Sequence, residues 1–187
     1  MRYLIIGLGN PGGEYEKTRH NIGFRILDKI VADAGLEFSE KKYAKVSEIK
    51  YKGRILTLIK PNTFMNLSGK AVNYWMQKIK VKAENILIVT DDISLPFGTH
   101  RMRKRGSSGG HNGLKNISFA LSHDNYSRLR FGVGSNFIRG NQSQYVLDKF
   151  NDSEELILEV RIGLAINMIN SFSTIGVELT MSEFNGK

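Results

Sequence analysis

Short apolar runs alternate along this chain with segments in which apolar residues recur at helical spacing. Apolar runs at Tyr3 to Leu8, Arg54 to Ile59 and Ile86 to Val89 are typical of strands buried on both faces of a parallel sheet. Arg128 to Gly134 predicts a further strand. The pattern therefore predicts at least four strands, separated by segments long enough to hold helices.

Four segments have the periodicity of amphipathic helices. Their apolar positions are Ile22, Ile26, Ile30 and Val31; Val72, Trp75, Met76 and Ile79; Leu114, Ile117 and Leu121; and Ile157, Val160, Leu164, Met168 and Phe172. We expect Asn66 or Ser68 to cap the second helix, and Asp152 with Glu155 to form a capping box at the last. The alternation predicts an α/β fold: a single domain over residues 1–187, with a mixed, mostly parallel twisted sheet flanked by helices on both faces.

Composition narrows the class of protein. With 187 residues, 41% of them hydrophobic, the chain suits one globular domain. No run approaches the roughly 18 uninterrupted apolar residues of a membrane span, and no signal peptide is visible at Met1, so no membrane partner is expected. The absence of Cys excludes disulfides, thiolate zinc sites and a Cys nucleophile. We therefore expect a soluble, cytoplasmic protein.

The charge balance points to polyanionic partners. Lys and Arg number 27 against 18 Asp and Glu, which gives a net charge of +9. The segment HRMRKR at residues 100–105 is strongly basic, and Arg128 and Arg130 share one face of the predicted strand. We expect a phosphate-binding stripe from this region, formed by Arg101, Arg103, Lys104 and Arg130, although a solvated basic face would have the same pattern.

Gly7, Gly9 and Gly12 form the spacing GxGxxG directly after the first predicted strand. A dinucleotide-binding turn would enter its helix where Asn10 and Pro11 stand, and the acidic residue about 20 positions on would end a strand. Helical spacing begins only at Ile22, so we expect no nicotinamide cofactor and no other cofactor. The glycines are more typical of a tight loop that lets a ligand approach the backbone.

Polar clusters follow the predicted strand ends and helix starts. They are Asn10 to Gly12, Thr18 to Asn21, Asn62 to Ser68, Asp91 with Asp92, and Gly109 to Gly113. Because the carboxyl ends of strands border the ligand crevice of an open α/β sheet, these loops are expected to meet in one pocket.

His20 and Asp91 have the residue types of a general base and its orienting partner. A neutral imidazole accepts a proton from water, and a carboxylate on the other ring nitrogen fixes the tautomer. No Ser or Cys nucleophile motif accompanies them, which favours direct attack by water. A structural histidine is the alternative. Asp91 and Asp92 point to opposite sides of a strand, so we predict no required metal.

Asn10, Asn66 and Asn112 offer neutral amides in the same clusters. An amide can hold a ribose hydroxyl, a peptide carbonyl or a developing oxyanion. Helix capping is the alternative for each of them, because asparagine is common at caps and turns.

Several of these segments, taken in order, resemble the bacterial peptidyl-tRNA hydrolase family along nearly the whole chain. The matching segments are GLGNPGGEYEKTRHNIGF, KPNTFMNLSGKAV, DDISLPFG, GGHNGLKNI and RLRFGVG. The resemblance implies a monomeric α/β enzyme that binds the acceptor arm and 3′ end of peptidyl-tRNA. It implies hydrolysis of the ester of N-blocked aminoacyl-tRNA, which recycles tRNA and spares free aminoacyl-tRNA.

The resemblance also implies roles for single residues. It gives His20 as base, Asp91 as its partner, and Asn10, Asn66 and Asn112 as positioners of substrate and water, with Tyr15, Met65 and His111 lining the cleft and Arg103 and Arg130 contacting tRNA.

The chain departs from the family pattern at Ser94, where many members have an acid, and at Arg101 and Arg103, where lysines are frequent. Loss of the acid at Ser94 puts the local hydrogen bonding of that loop in doubt. A catalytically silent RNA-binding relative is the alternative function, since a plant splicing factor resembles this family.

Overall fold

A twisted sheet of seven strands forms the centre of the computed structural model, which describes residues 1–186. The strands are β1 (Arg2–Gly7), β2 (Ser39–Lys41), β3 (Ala44–Tyr51), β4 (Arg54–Pro61), β5 (Ile86–Asp92), β6 (His100–Arg103) and β7 (Ser127–Gly132). The helices are α1 (Ile22–Asp33), α2 (Ser68–Lys78), α3 (Asn112–Leu121), α4 (Gln142–Leu147) and α5 (Asp152–Phe184). Short 3₁₀ turns lie at Gly13–Tyr15, Arg19–Asn21, Met65–Leu67 and Ala83–Asn85.

The strand order is β2-β3-β4-β1-β5-β7-β6. The four central strands β4, β1, β5 and β7 are parallel, and their carboxyl ends share one edge. The outer strands β2, β3 and β6 pair antiparallel. The predicted α/β fold with a mixed sheet is confirmed, although the sequence did not predict the three antiparallel strands.

Helices cover both faces of the sheet, as predicted. Ile5 and Val89 pack with α1 and α5 on one face, whereas Leu4 and Ile88 pack with α2 and α3 on the other. Alternate residues of the same strands thus enter two separate apolar layers, which explains why the central strands are apolar throughout.

Glycines let α1 lie unusually close to β1. A Cβ atom on Gly7 would stand 2.4 Å from the carbonyl oxygen of Gly23, and one on Gly9 would stand 2.8 Å from the Phe24 ring. Only Gly12 of the three spaced glycines has a positive φ, at 116°. The interpretation as an open ligand loop is therefore wrong for Gly7 and Gly9, which serve packing.

Both predicted helix caps are wrong in detail. Ser68 is the first residue of α2, with Leu67 at the cap position, and the Ser68 hydroxyl donates to the Met65 carbonyl oxygen at 2.8 Å. The capping box of α5 lies one residue earlier than predicted, at Asn151 and Glu154.

The predicted apolar face of α5 is also partly wrong. Ile157, Val160 and Leu164 are exposed, whereas Leu158 and Ile162 are buried with the core. The buried face of α5 thus runs through Leu158, Ile162, Ala165 and Ile169, and the regular helix is interrupted at Gly176, whose φ and ψ are non-helical.

Among the described residues, α5 is the one helix that meets the length and hydropathy criteria of a membrane span, with a mean hydropathy of 1.3. Core helices of soluble proteins meet the same criteria, and part of α5 is buried in the core here.

Candidate active site

A cleft of about 830 Å³ opens at the carboxyl edge of the parallel strands. Residues from the predicted polar clusters line it: Asn10, His20, Met65, Asn66, Asp91, Asp92, His111 and Asn112. The structure therefore brings four loops and the start of α3 to one place, as the strand pattern predicts.

His20 and Asp91 lie in contact at the base of the cleft. His20 stands on the 3₁₀ turn before α1, and its Nδ1 is 2.9 and 3.0 Å from the two carboxylate oxygens of Asp91. Asp91 lies near the end of β5 and is only 3% exposed. Since Nδ1–H donates to the carboxylate, Nε2 is left as the proton acceptor, and it has no hydrogen-bond partner among residues 1–186.

His111 holds the same carboxylate from the other side. Its Nε2 is 2.9 Å from Asp91 Oδ1 and 2.8 Å from the Thr90 hydroxyl. Its Nδ1 accepts hydrogen bonds from the backbone N–H groups of Gly113 and Leu114, at 3.1 and 3.3 Å, and so caps α3. These bonds require the neutral tautomer with hydrogen on Nε2, which therefore donates to Asp91.

The protonation of the pair follows from its surroundings. Burial alone would raise the pKa of Asp91, but its electrostatic interactions and hydrogen bonds with His20 and His111 lower that pKa far below its usual range. Burial alone would lower the pKa of His20, but the charge and hydrogen bond of Asp91 raise it above 6.5. The site thus couples a permanently ionised carboxylate to an imidazole made more basic.

Asn10 is fixed by three hydrogen bonds that leave its side-chain NH2 group free. Its backbone N–H donates to Asn21 Oδ1 at 2.8 Å, and its carbonyl oxygen accepts from Asn21 Nδ2 at 2.9 Å. Its side-chain Oδ1 accepts from the Met65 N–H at 2.8 Å. The remaining amide nitrogen of Asn10 lines the cleft and can donate to a ligand.

Asn66 and Asn112 also line the cleft, and neither of them occupies a helix cap position. Leu67 precedes α2 and His111 precedes α3 at the cap positions. The alternative interpretation of Asn66 and Asn112 as caps is therefore wrong.

The predicted cations divide into two groups. Arg103 and Arg130 line the cleft, whereas Arg101 and Lys104 do not. Arg130 forms an ion pair with Asp92 and donates to the Ser94 hydroxyl at 3.2 Å. Tyr15 also lies outside the lining and packs edge-on against Phe64, with ring centroids 6.5 Å apart.

Ser94 keeps the hydrogen bonds of its loop. Its N–H and its hydroxyl both donate to Asp92 Oδ1, at 2.8 and 2.6 Å. The doubt that the missing acid raised about local hydrogen bonding is resolved, because Asp92 supplies the carboxylate.

Arg128 is not the solvated cation that its place in the strand pattern suggests. It is 2% exposed and donates to the carbonyl oxygens of Ser107 and Asp124, at 2.9 and 3.0 Å. Its guanidinium also lies over the ring of Tyr126, 4.4 Å from the ring centroid. Arg128 thus borders the cleft, but its guanidinium is buried and anchors the glycine-rich loop.

Several cleft residues escaped the sequence analysis. Arg105 belongs to the basic run and lines the cleft, so its charge could have identified it. Gln142 and Ser143 of α4 form part of the wall. The six residues of α4 are too few to show a helical periodicity in the sequence.

His20, Asp91 and His111 offer ligand atoms that all lie within 4.8 Å of one another, a spacing compatible with a metal ion. Here the Asp91 carboxylate accepts from both imidazoles, and the second nitrogen of His111 caps α3. Hydrogen bonding thus accounts for the arrangement, and the absence of a required metal stays a prediction.

Comparison with protein families and with curated proteins identifies the family of this chain. The family model for peptidyl-tRNA hydrolase matches residues 4–187. Proteins named peptidyl-tRNA hydrolase from Cytophaga hutchinsonii and Parabacteroides distasonis are 54% and 51% identical, over all of this chain and all of theirs.

A crystal structure of peptidyl-tRNA hydrolase from Acinetobacter baumannii superposes with a TM-score of 0.91 at 31% identity, covering 98% of this chain and 94% of that one. The sequence match and the shared fold extend over the same residues. The chain belongs to the peptidyl-tRNA hydrolase family.

Proposed function

We propose that this protein hydrolyses the ester bond between a peptide and the 3′ end of tRNA, releasing both so that tRNA returns to translation. Membership of the peptidyl-tRNA hydrolase family supports this activity. The observation that carries the mechanism is the buried His20–Asp91 pair, whose free Nε2 faces a cleft lined by amides.

His20 is the proposed general base. Its Nε2 takes a proton from water as the water oxygen attacks the ester carbonyl carbon, because water becomes a good nucleophile only while it loses a proton. The imidazolium that forms is stabilised by the Asp91 carboxylate at 2.9 Å. His111 holds that carboxylate in place from its other side.

Amide groups are the proposed stabilisers of the negative charge that develops on the carbonyl oxygen. Asn10 presents a free N–H donor whose direction is fixed by Met65 and Asn21. A donor held in advance stabilises the transition state without having to reorganise. Asn66 and Asn112, which also line the cleft, are proposed to position the peptide and the attacking water.

Collapse of the tetrahedral intermediate breaks the bond between the carbonyl carbon and the ribose 3′ oxygen. His20 returns its proton to that oxygen, so the products are a peptide acid and a tRNA with a free 3′ hydroxyl. The reaction requires neutral His20 at its start and restores it at its end.

The acceptor arm of tRNA is the proposed partner of the basic wall. Arg103, Arg105 and Arg130 line the cleft, and Arg101 and Lys104 extend the positive surface beside it. Contacts with phosphates orient a nucleic acid without reading its bases, which suits an enzyme acting on many tRNAs. We further propose a cytoplasmic monomer that needs no cofactor and no membrane.

The decisive experiment measures release of N-acetyl-amino acid from N-acetyl-aminoacyl-tRNA, with EDTA present and unblocked aminoacyl-tRNA as control. We expect release from the blocked substrate alone. Tight tRNA binding without release would favour a silent RNA-binding protein, and activity lost to EDTA would contradict the metal-free mechanism.

A further inference from the structure

The edge strand β6 carries an unfavourable arrangement of charge. Arg101 pairs directly across from Arg130, and Arg103 across from Arg128, in the antiparallel register with β7. Directly opposite residues of an antiparallel pair project from the same face, and like charges in such positions weaken the pairing. β6 has only four residues and lies at the edge of the sheet, so no neighbouring strand of the described chain binds its outer side.

The side chain of Asn185 binds the free side of this strand. Its Oδ1 accepts a hydrogen bond from the Met102 N–H at 2.8 Å, and its Nδ2 donates to the Met102 carbonyl oxygen at 3.0 Å. One amide thus satisfies both outward backbone groups of Met102, as a neighbouring strand would. The Met102 side chain is fully buried on the opposite side of the strand from the arginines.

The chain reaches this position through the break in α5. Gly176 has φ 82° and ψ 172°, which redirects the last turns of α5. The Thr180 hydroxyl donates to the Gly176 carbonyl oxygen at 2.8 Å, which stabilises the chain on the C-terminal side of the break. The Asn185 N–H donates to the Met181 carbonyl oxygen at 3.0 Å, so its position is fixed by the helix before it.

We propose that Asn185 is a positioning residue for tRNA binding, which holds β6 against β7 so that Arg103 stays at the mouth of the cleft. This inference rests on the proposed function. Its physical basis is that the two hydrogen bonds of Asn185 hold the outer side of the edge strand on which Arg103 stands.

Asn185 holds β6 more directly than the ion pair beside it does. Lys104 and Glu178 also join the end of this strand to α5, at 2.8 Å, but their side chains are 57% and 63% exposed. Exposed ion pairs contribute little in water. The hydrogen bonds to Met102 are partly buried and hold the backbone itself.

The test compares Asn185→Ala with the wild type on two substrates. One is N-acetyl-aminoacyl-tRNA, and the other is the corresponding N-acetyl-aminoacyl ester of adenosine, which has no phosphates. We expect Asn185→Ala to raise KM for the tRNA substrate about fivefold at unchanged kcat, since the loss of a net hydrogen bond is of this size. Hydrolysis of the adenosine ester should be unchanged.

Hydrogen exchange at the Met102 amide gives the second measurement. Protection should be lost in Asn185→Ala, and Asn185→Gln, which keeps the amide on a longer side chain, tests rescue. Across the variants KM for tRNA must follow Met102 protection. Asn73→Ala is the control, because Asn73 is an asparagine in α2 whose side chain bonds only Gln77.

Lost Met102 protection with unchanged KM would overturn the proposal, as would an equal loss of activity on both substrates. If the wild type hydrolyses neither substrate, the proposed function itself fails, which these measurements distinguish from failure of the Asn185 role.

Discussion

Two regions of the cleft are built on opposite principles. In the centre formed by His20, Asp91 and His111, the carboxylate and three of the four ring nitrogens have partners within the chain. At the edge formed by β6 and β7, arginines lie opposite one another across the two strands. The outer side of β6 is held by hydrogen bonds from the Asn185 side chain.

The difference separates what a protein must fix from what it can leave to its ligand. Proton transfer depends on orientation and on pKa, so the catalytic centre needs buried, fully paired groups. Phosphate binding depends chiefly on the number and place of the charges. The edge can therefore keep exposed cations, Arg101 and Arg103, that phosphates neutralise when RNA binds.

The largest effect is expected from removing the imidazole of His20, the proposed general base. His20→Ala should lower kcat about a thousandfold, within the usual range for loss of a general base, while tRNA affinity stays within twofold. Filter binding and single-turnover hydrolysis measure the two quantities. His123→Ala is the matched control, because His123 is exposed and lies outside the cleft. A His20→Ala variant with a near-normal rate would remove the proposed base.

Asp91→Asn tests whether the carboxylate sets the basicity of His20. The wild-type rate should rise with pH through the raised pKa of His20, since only the neutral ring accepts a proton. Without the charge of Asp91, burial dominates and lowers that pKa, so the rising limb should move to lower pH. We expect kcat to fall about a hundredfold as well, because the imidazolium loses its partner. A pH–rate profile of Asp91→Asn whose rising limb lies at the wild-type pH would contradict this account.

Arg103→Ala examines the other region. We expect KM for peptidyl-tRNA to rise about tenfold and the slope of log affinity against log salt to decrease by about one, because one phosphate contact is lost. Arg128→Ala is the contrasting variant. It should lower the free energy of unfolding and leave the salt slope unchanged, because the Arg128 guanidinium is buried and donates to the backbone oxygens of Ser107 and Asp124. Equal salt slopes for Arg103→Ala and the wild type would contradict the phosphate contact.

The sequence predicts the central sheet well and its margins poorly. β1, β4, β5 and β7 read as strands because they are buried on both faces, as continuous apolar runs require. β3 is half-exposed and β6 carries arginines, so neither has such a run. Their pairing is decided by contacts far apart in sequence, such as that of Asn185 with Met102.

The candidate site divides in a similar way. The motifs predict that His20 and Asp91 meet, and the two are in contact although 71 positions apart; their catalytic roles stay predictions. His111 both caps α3 and bonds Asp91, because it lies directly before the first turn of that helix. The periodicity of the sequence does not locate the residue at which α3 begins. The burial of Arg128 could not be predicted, because the alternation of residues along a strand tells which side chains share a face but not whether a loop covers that face.

The smallest expected effect belongs to Glu178, which faces the cationic edge from α5. Glu178→Gln releases Lys104 from its ion pair and should lower KM for peptidyl-tRNA by about twofold or less at low salt, since exposed pairs are worth at most about 1 kcal/mol. High salt should abolish the gain. Glu159→Gln makes the same charge change at another exposed site of α5. An equal gain in both variants would mean that net charge alone attracts tRNA. A gain confined to Glu178→Gln would mean that Lys104 exchanges a carboxylate for a phosphate, so that the ligand completes this edge of the protein.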